Sequence, residues 1–441
     1  MGLRIFLLYI LLVFMRPVDW LLPWLAPVRP LAVASACAFV AAFGIIRQGK
    51  QAAVARHYWL LAGLSVAISL SVATNGWVGG VPVVMADFST SALLFLLVSF
   101  FAGTQESLRK TCVVIVVSMV CLAALSIYSY HTGYMVEKLV LQQANREDVP
   151  DGPARPSLPS EDVTGAFMWR IKAFGFFDDP NDFGQSMVMT LPFIFLWFTP
   201  GRRWRNLALV WLPAAVLIYG TYLTNSRGAL LGLGSLTFFQ IKERLGNVKS
   251  GFLLGGGALG ALALNFTGGR GFSAKEESAA GRIEAWFEGF QMLKSHPLFG
   301  VGYGQFTEHH WLTAHNSFVL CFAELGLVGY FFWMALVVSA FQAVFSVAKH
   351  APAGPDRQAA VVFRSSIVGF FVCTYFLSRT YQPVLFVLLA LCVASWVGPW
   401  RAGRFKGIEA LQVDRRSWLG VTLWSVLGSM SIIWLTVRFS L

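Results

Sequence analysis

Charged side chains are scarce in this sequence. Only 13% of the 441 residues are charged, against about 25% in a typical soluble domain, and 56% are hydrophobic. The chain also lacks a small-residue cleavage site behind its first apolar segment, which runs directly into Trp20, Trp24 and Pro27. These absences exclude a soluble domain and predict an integral membrane protein whose first helix is retained and not cleaved as a signal peptide.

Cysteine spacings typical of metal sites or disulfide frameworks are absent as well. All six cysteines lie inside apolar runs, where they are typical of small buried side chains. They are Cys37, Cys112, Cys121, Cys321, Cys373 and Cys392. The net charge of +12 does not indicate a nucleic-acid partner, because the basic residues of membrane proteins collect in cytoplasmic loops.

Long apolar runs, by contrast, are abundant. Because a spanning helix needs about 20 mostly apolar residues, the sequence predicts about 12–13 transmembrane helices. The candidate segments are 3–24, 30–46, 58–74, 88–103, 111–129, 183–199, 206–223, 228–241, 251–266, 316–346, 362–379, 382–398 and 417–438.

The loops between these segments alternate in charge. With the N-terminus inside, every second loop is basic, as the positive-inside rule requires. The basic loops carry Arg47, Lys50 and Arg56; Arg109 and Lys110; Arg202, Arg203 and Arg205; Lys242, Arg244 and Lys249; Lys349 and Arg357; and Arg401, Arg404, Lys406, Arg415 and Arg416. One missed or additional helix would break this alternation from that point on.

Two larger loops on the predicted outer side divide the chain. The domain organisation is N-terminal transmembrane helices over 1–129, a first loop over 130–182, central transmembrane helices over 183–266, a second loop with an amphipathic helix over 267–315, and C-terminal transmembrane helices over 316–441. The middle of the first loop, Asn145–Asp162, is rich in proline and acidic residues, which predicts flexibility.

Arg227 is the first candidate site residue. It lies in Thr224-Asn225-Ser226-Arg227-Gly228, between two apolar segments at the predicted outer face. An arginine at that depth has to face protein or water, because exposure to lipid is costly. Two interpretations remain open: a ligand-binding arginine, or an interfacial arginine whose head reaches the lipid headgroups.

Arg282 lies on a predicted amphipathic helix over Ser278–Ser295, which His296-Pro297 ends. At 3.6 residues per turn it aligns with Trp286, Gly289 and Leu293 and not with the acidic face. This placement favours a functional arginine, and an arginine stem that covers apolar surface is the alternative.

His315 is the candidate for proton chemistry, because histidine titrates near neutral pH. It stands where the second loop meets an apolar helix, with Asn316 and Ser317 beside it. His309 and His310 are close in sequence, but their spacing matches no zinc motif, so we predict no metal site. A structural histidine at the interface is the remaining alternative.

Glu324 lies about two turns into the helix that starts at Asn316, and an intramembrane carboxylate indicates function by default. We expect it to be the buried partner of an arginine, either Arg227 or Arg379, and a structural ion pair and a substrate contact both remain open.

The glycine-rich turn Gly300-Val301-Gly302-Tyr303-Gly304 precedes that helix. It neither follows a predicted strand nor opens a nucleotide-type helix. Its context therefore favours a turn with positive φ over a phosphate-binding loop.

Taken together, these pieces resemble the O-antigen ligase/polymerase family of bacterial membrane glycosyltransferases. The matching pieces are Asp179-Pro180-Asn181, Asn225-Ser226-Arg227-Gly228, Gly281-Arg282 with Trp286, Gly300-Val301-Gly302-Tyr303-Gly304, His315-Asn316-Ser317, and Glu324-Leu325-Gly326 with Gly329. They cover about 175–330 and share one predicted side of the membrane.

The resemblance implies an all-α, polytopic, GT-C-like fold that works without a metal or other cofactor. It implies a glycan donor on undecaprenyl diphosphate, used at the periplasmic face of a bacterial inner membrane. The resemblance further implies that Arg227 and Arg282 bind the diphosphate and that His315 is the catalytic residue. The supporting candidates are Glu324, Asn316, Arg379 and Tyr303.

The acceptor stays open. The loop between Arg282 and His315 is compact beside that of lipopolysaccharide ligases with larger periplasmic domains, so lipid A core, a second lipid-linked glycan and a protein hydroxyl are all retained. A transporter or flippase of lipid-linked or anionic glycans is the rival class, although the sequence shows no pair of related halves. A structural partner in a polysaccharide assembly complex is the third.

Overall fold

The computed structural model describes residues 2–46, 55–144, 159–161, 167–238, 277–411 and 417–440. This part of the chain is mostly helical, as predicted. Its longer helices are α1 (Gly2–Met15), α2 (Pro30–Ile46), α3 (Ala55–Ala73), α4 (Val81–Phe101), α5 (Gln105–Thr132), α6 (Pro180–Thr190), α7 (Arg203–Leu223), α8 (227–238), α9 (Glu277–Ser295), α10 (Ser317–His350), α11 (Pro355–Thr374), α12 (Pro383–Arg401) and α13 (Ser417–Ser440).

Six helices among the described residues are long and apolar enough to cross a membrane, namely α4, α5, α7, α10, α12 and α13. The chain is therefore a polytopic membrane protein. The full count of 12–13 crossings stays a prediction. The predicted helix at 251–266, the basic residues between 242 and 250, and most of Asn145–Asp162 lie outside the described residues.

Two predicted apolar segments are interrupted, and proline is involved in both. The segment 3–24 loses its helix after Met15, where Arg16 has a left-handed φ of 43° and is followed by Pro17. The segment 183–199 changes from α6 to a 3-10 helix at Leu191, next to Pro192. Proline lacks the backbone N–H that would continue an α-helix and restricts the residue before it.

One two-stranded sheet departs from the all-α expectation. Strands β1 (Val140–Ala144) and β2 (Phe167–Ile171) pair antiparallel within the first predicted loop, with Leu141 opposite Arg170. Each strand is only five residues long, and the pairing is not local in sequence. Such short strands carry too little periodicity to be separated from a loop by sequence alone.

The chain divides into two compact units. Unit 1 comprises Met1–Cys37, Arg109–Gly271 and Val368–Cys373, and in it α6 and β2 contact α7. Unit 2 comprises Ala38–Leu108, Phe272–Ile367 and Thr374–Leu441. Helix α10 is central in unit 2, since it packs against α3, α9, α12 and α13.

Helix α10 is broken at Gly326, whose φ of 62° and ψ of −166° are not helical. The loop 297–302 supplies backbone partners on both sides of the break. These hydrogen bonds run from Val301 N to Ala323 O (3.0 Å), Gly302 N to Glu324 O (3.0 Å), Leu327 N to Pro297 O (2.9 Å) and Val328 N to Leu298 O (3.1 Å). We call this arrangement the α10 break. Irregular backbone within a membrane helix requires such protein partners, because lipid offers none.

Candidate functional site

In unit 1, Arg227 stands at the first position of α8, after a tight turn over Thr224–Ser226. Asn225 in this turn has a left-handed φ of 49°. The Ser226 hydroxyl caps the helix by accepting a hydrogen bond from the Ala229 N–H at 3.4 Å. Serine is a preferred N-cap residue, and a helix N-terminus favours anions. Arg227 is half-buried there, so a cationic side chain lies beside a helix start.

Two neighbouring elements of unit 1 contact this turn. The Asn225 side-chain amide donates to the Trp169 carbonyl of β2 at 3.0 Å. On α6, Gly184 is so close that a Cβ would lie 2.8 Å from the Ala229 Cβ and 3.0 Å from the Thr224 hydroxyl oxygen. A residue without a side chain is therefore needed at 184 for α6 to pack against the turn.

In unit 2, helix α9 bears Arg282 much as its periodicity predicted. Trp286, Gly289 and Leu293 are buried, whereas Glu284 is exposed. Arg282 is half-buried at the edge of the buried stripe. Phe287 on the same helix is 39% exposed although it is apolar. The helix ends at Ser295, directly before His296-Pro297, as expected.

A buried hydrogen bond connects α9 to the segment that carries His315. The indole N–H of Trp286 donates to the Ala314 carbonyl at 2.8 Å. His315 follows with a left-handed φ of 47° and is half-buried. A non-glycine residue in this conformation is uncommon and is found more often at functional sites. Unit 2 thus joins the elements that bear Arg282 and His315.

Asn316 and Ser317 have local roles that fix His315. The Asn316 carboxamide oxygen caps α10 by accepting from the N–H groups of Phe318 (2.9 Å) and Val319 (3.2 Å). The Ser317 hydroxyl accepts the Arg379 N–H at 2.8 Å. The segment between α11 and α12, with Arg379, is therefore held beside His315. The Asn316 amide nitrogen is buried and has no hydrogen-bond partner in the described structure.

The glycine-rich turn has the backbone that its sequence predicted. Gly300, Gly302 and Gly304 all have positive φ, at 68°, 115° and 73°. Gly300 also lies against the Glu324 backbone, where a Cβ would clash. The prediction of a turn with positive φ is confirmed, and its place in the molecule is at the α10 break.

Glu324 has a partner other than the arginine we expected. Its Oε1 accepts the backbone N–H of Phe306 at 3.2 Å, and the residue is 3% exposed. The Glu324 carboxylate therefore binds the backbone that directly follows the glycine-rich turn.

Sequence reasoning missed Asp87, which lies in the second turn of α4. The Tyr303 hydroxyl donates to its carboxylate at 2.6 Å, and the Tyr303 ring lies 4.5 Å from the Tyr381 ring between centroids. Burial, followed by the hydrogen bond to Asp87, raises the pKa of Tyr303 above its usual range. Burial, followed by the Glu324 charge, likewise raises the pKa of Tyr381. The sequence feature that could have revealed Asp87 is an acidic residue directly before the predicted apolar helix at 88–103.

The described residues contain several apolar helices long enough to span a membrane. At the α10 break, the protein itself supplies hydrogen-bond partners for the backbone. Both features are typical of a multi-pass membrane protein. Residues 208–334 match the family model described as O-antigen ligase, which confirms the predicted resemblance over that segment. The matched segment contains Arg227, Arg282, His315 and Glu324. This family implies lipid-linked glycan substrates. No curated protein matches the chain.

Proposed function

We propose that the protein is a glycosyltransferase that moves a glycan from an undecaprenyl-diphosphate donor to an acceptor hydroxyl. The reaction takes place at the periplasmic face of a bacterial inner membrane, without a metal or other cofactor, as an O-antigen ligase or a polysaccharide polymerase. The observation that carries the proposal is the Trp286–Ala314 hydrogen bond, because it links the helix of Arg282 to the segment of His315.

Arg227 and Arg282 each contribute to diphosphate binding. A guanidinium presents paired donors that match phosphate oxygens, and charge on the leaving diphosphate grows as the glycosidic bond breaks. The position of Arg227 at the capped start of α8 supports this role, since helix N-termini favour phosphate. The half-buried position of Arg282 beside Trp286 supports it as well, because the opposite face of α9 carries the exposed acid.

His315 acts as the general base for the acceptor hydroxyl. Its neutral imidazole accepts the proton as the hydroxyl oxygen attacks the anomeric carbon, and the bond to the diphosphate oxygen breaks. Its strained backbone and the neighbouring cap at Asn316 support a fixed orientation. Ser317, two residues from His315, accepts the Arg379 N–H, and this bond supports a role for Arg379 in binding the acceptor.

Purified protein in lipid nanodiscs, given undecaprenyl-diphosphate-linked glycan and acceptor, tests the reaction. We expect release of undecaprenyl diphosphate together with a transferred glycan. His315→Ala should reduce transfer about 10²–10⁴-fold while donor binding persists, which is the usual contribution of a general base.

His315→Gln is the matched variant, because it keeps a hydrogen-bonding side chain that does not take up a proton at the working pH. It should be nearly as inactive as His315→Ala. Movement of the lipid-linked glycan across the bilayer of sealed liposomes without bond cleavage would instead identify a transporter. Loss of activity with a chelator, restored by a divalent ion, would overturn the assignment and revive a metal site at His309, His310 and His315.

A further inference from the structure

We propose that Arg170 is a positioning residue that sets the presentation of Arg227 in unit 1. The inference rests on the proposed function, in which Arg227 binds the donor diphosphate. It concerns the residues on β2, α6 and α7 that surround the Thr224–Ser226 turn.

Arg170 is buried, with 7% exposure, in a strand that the sequence did not reveal. Its Nε donates to the Thr224 carbonyl at 2.8 Å, and its Nη2 donates to the Asn181 side-chain oxygen at 2.7 Å. A buried guanidinium is tolerated only where such acceptors offset the loss of hydration. Arg170 thus spans the end of α7 and the start of α6 from β2.

The bond to Thr224 has a direct consequence for the turn. Thr224 follows the last residue of α7, and carbonyls at a helix C-terminus lack intrahelical partners and favour a cation. The next residue, Asn225, is fixed by its own bond to the Trp169 carbonyl. Consecutive strand residues, 169 and 170, therefore hold consecutive turn residues, 225 and 224.

The hydrogen bond from Arg170 to Asn181 connects β2 to the start of α6. The Asp179 carboxylate caps α6 by accepting the Asn181 N–H at 2.7 Å, which orients Asn181 toward Arg170. Helix α6 in turn packs against the turn through Gly184. Arg170 acts through Thr224 and Asn181, and its own burial keeps it from the substrate. The direction in which α8 and Arg227 leave the turn follows from these contacts.

The test compares donor KM and kcat in Arg170→Met, Arg170→Lys, Arg227→Lys and the double variant Arg170→Met with Arg227→Lys. Glycan transfer from undecaprenyl-diphosphate-linked donor is measured on purified protein in nanodiscs. We expect Arg170→Met to raise donor KM about 10-fold and to change kcat by less than about threefold. Lysine should not rescue it, since a single ammonium does not bridge two acceptors as the guanidinium fork does.

The double variant separates positioning from general stability. If Arg170 acts through Arg227, adding Arg170→Met to Arg227→Lys should raise donor KM by less than about twofold more, because coupled residues are not additive. Lys172→Met is the control: Lys172 lies two residues further along and pairs at 2.7 Å with Asp178, whose side chain is 70% exposed. It should keep the parental KM.

Asn181→Ala keeps the test decisive if Arg170→Met does not fold. It removes the Asn181 bond to Arg170 but leaves the Thr224 bond, so it should raise donor KM less than Arg170→Met does, by about threefold. Additive losses, or a lower melting temperature with unchanged KM, would overturn the positioning role. If Arg227→Lys itself leaves donor KM unchanged, the proposed diphosphate role of Arg227 fails, and the role of Arg170 fails with it.

Discussion

At the scale of single residues, the polar residues that resemble the family have two kinds of role. Asn225, Ser226 and Asn316 build turns and caps, and these contacts explain why polar residues occur there in an apolar chain. Arg227 and His315 are instead presented by those turns and caps, and Arg282 lies within α9. Substitutions should therefore separate into changes of local structure and changes of chemistry.

Arg227→Lys and Arg282→Lys should each lower glycan transfer at least about 10-fold, because lysine keeps the charge but loses the two-pronged geometry that matches a phosphate. Membrane insertion and detergent-extracted yield should stay at parental levels. Transfer and donor affinity measured on purified variants provide the check. Near-parental activity in both variants would make these arginines structural or interfacial.

Tyr303→Phe should lower the stability of the purified protein by about 1 kcal/mol, the size of a partly exposed hydrogen bond. The raised pKa of Tyr303 keeps its hydroxyl protonated and donating at neutral pH. The contribution should be constant across neutral pH and decline only above about pH 10, where tyrosine ionises in the unfolded chain. Melting temperatures of both forms across that pH range measure it; a contribution already lost by pH 8 would contradict the assignment.

At the scale of elements, periodicity and apolar length predicted most helices, and α2 began and ended at the predicted residues. The partners of the α10 break were not predictable. Glu324 was expected to pair with an arginine because the sequence reveals charge but not which backbone N–H group, here that of Phe306, lies beside the carboxylate. Strand β2 was missed for a related reason: its partner lies beyond an intervening segment, and pairing over such a distance leaves no local pattern.

Gly326→Ala tests the α10 break as an element. The left-handed φ disfavours alanine, and a Cβ would also clash with the Leu298 backbone. We expect a loss of stability at least about 2 kcal/mol greater than that of Gly76→Ala, a matched variant with positive φ but open space around the Cβ. Thermal unfolding in detergent compares the two. Equal losses would mean that the 297–302 loop moves aside readily.

At the scale of the whole molecule, the predicted topology puts the large loops outside and the basic loops inside. The six candidate spans among the described residues are consistent with a multi-pass chain. Its sidedness is set by which loops carry Lys and Arg. The proposed reaction needs Arg227 and His315 on one side of the membrane.

Single cysteines in a cysteine-free background test this sidedness. Ser160→Cys, in the first large loop, should react with a membrane-impermeant maleimide in intact cells. Lys349→Cys, at the exposed end of α10, should react only after lysis. Labelling of both cysteines from the same side would contradict the predicted alternation of inner and outer loops. Labelling of neither cysteine after lysis would show that both sites are covered.

The interruption at Gly326 also bears on how α10 matches the thickness of a bilayer. An unbroken helix of 34 residues would be about 51 Å long, well beyond a hydrocarbon layer of about 30 Å. The portion after Gly326, 327–350, is about 36 Å long, which fits that layer at a tilt of about 34°, within the range of membrane helices. The shorter portion before it need not enter the hydrocarbon at all. Hydrophobic mismatch is thus avoided, and Glu324 and the cap beside His315 can lie at headgroup depth, where a lipid diphosphate and its water-borne sugars meet.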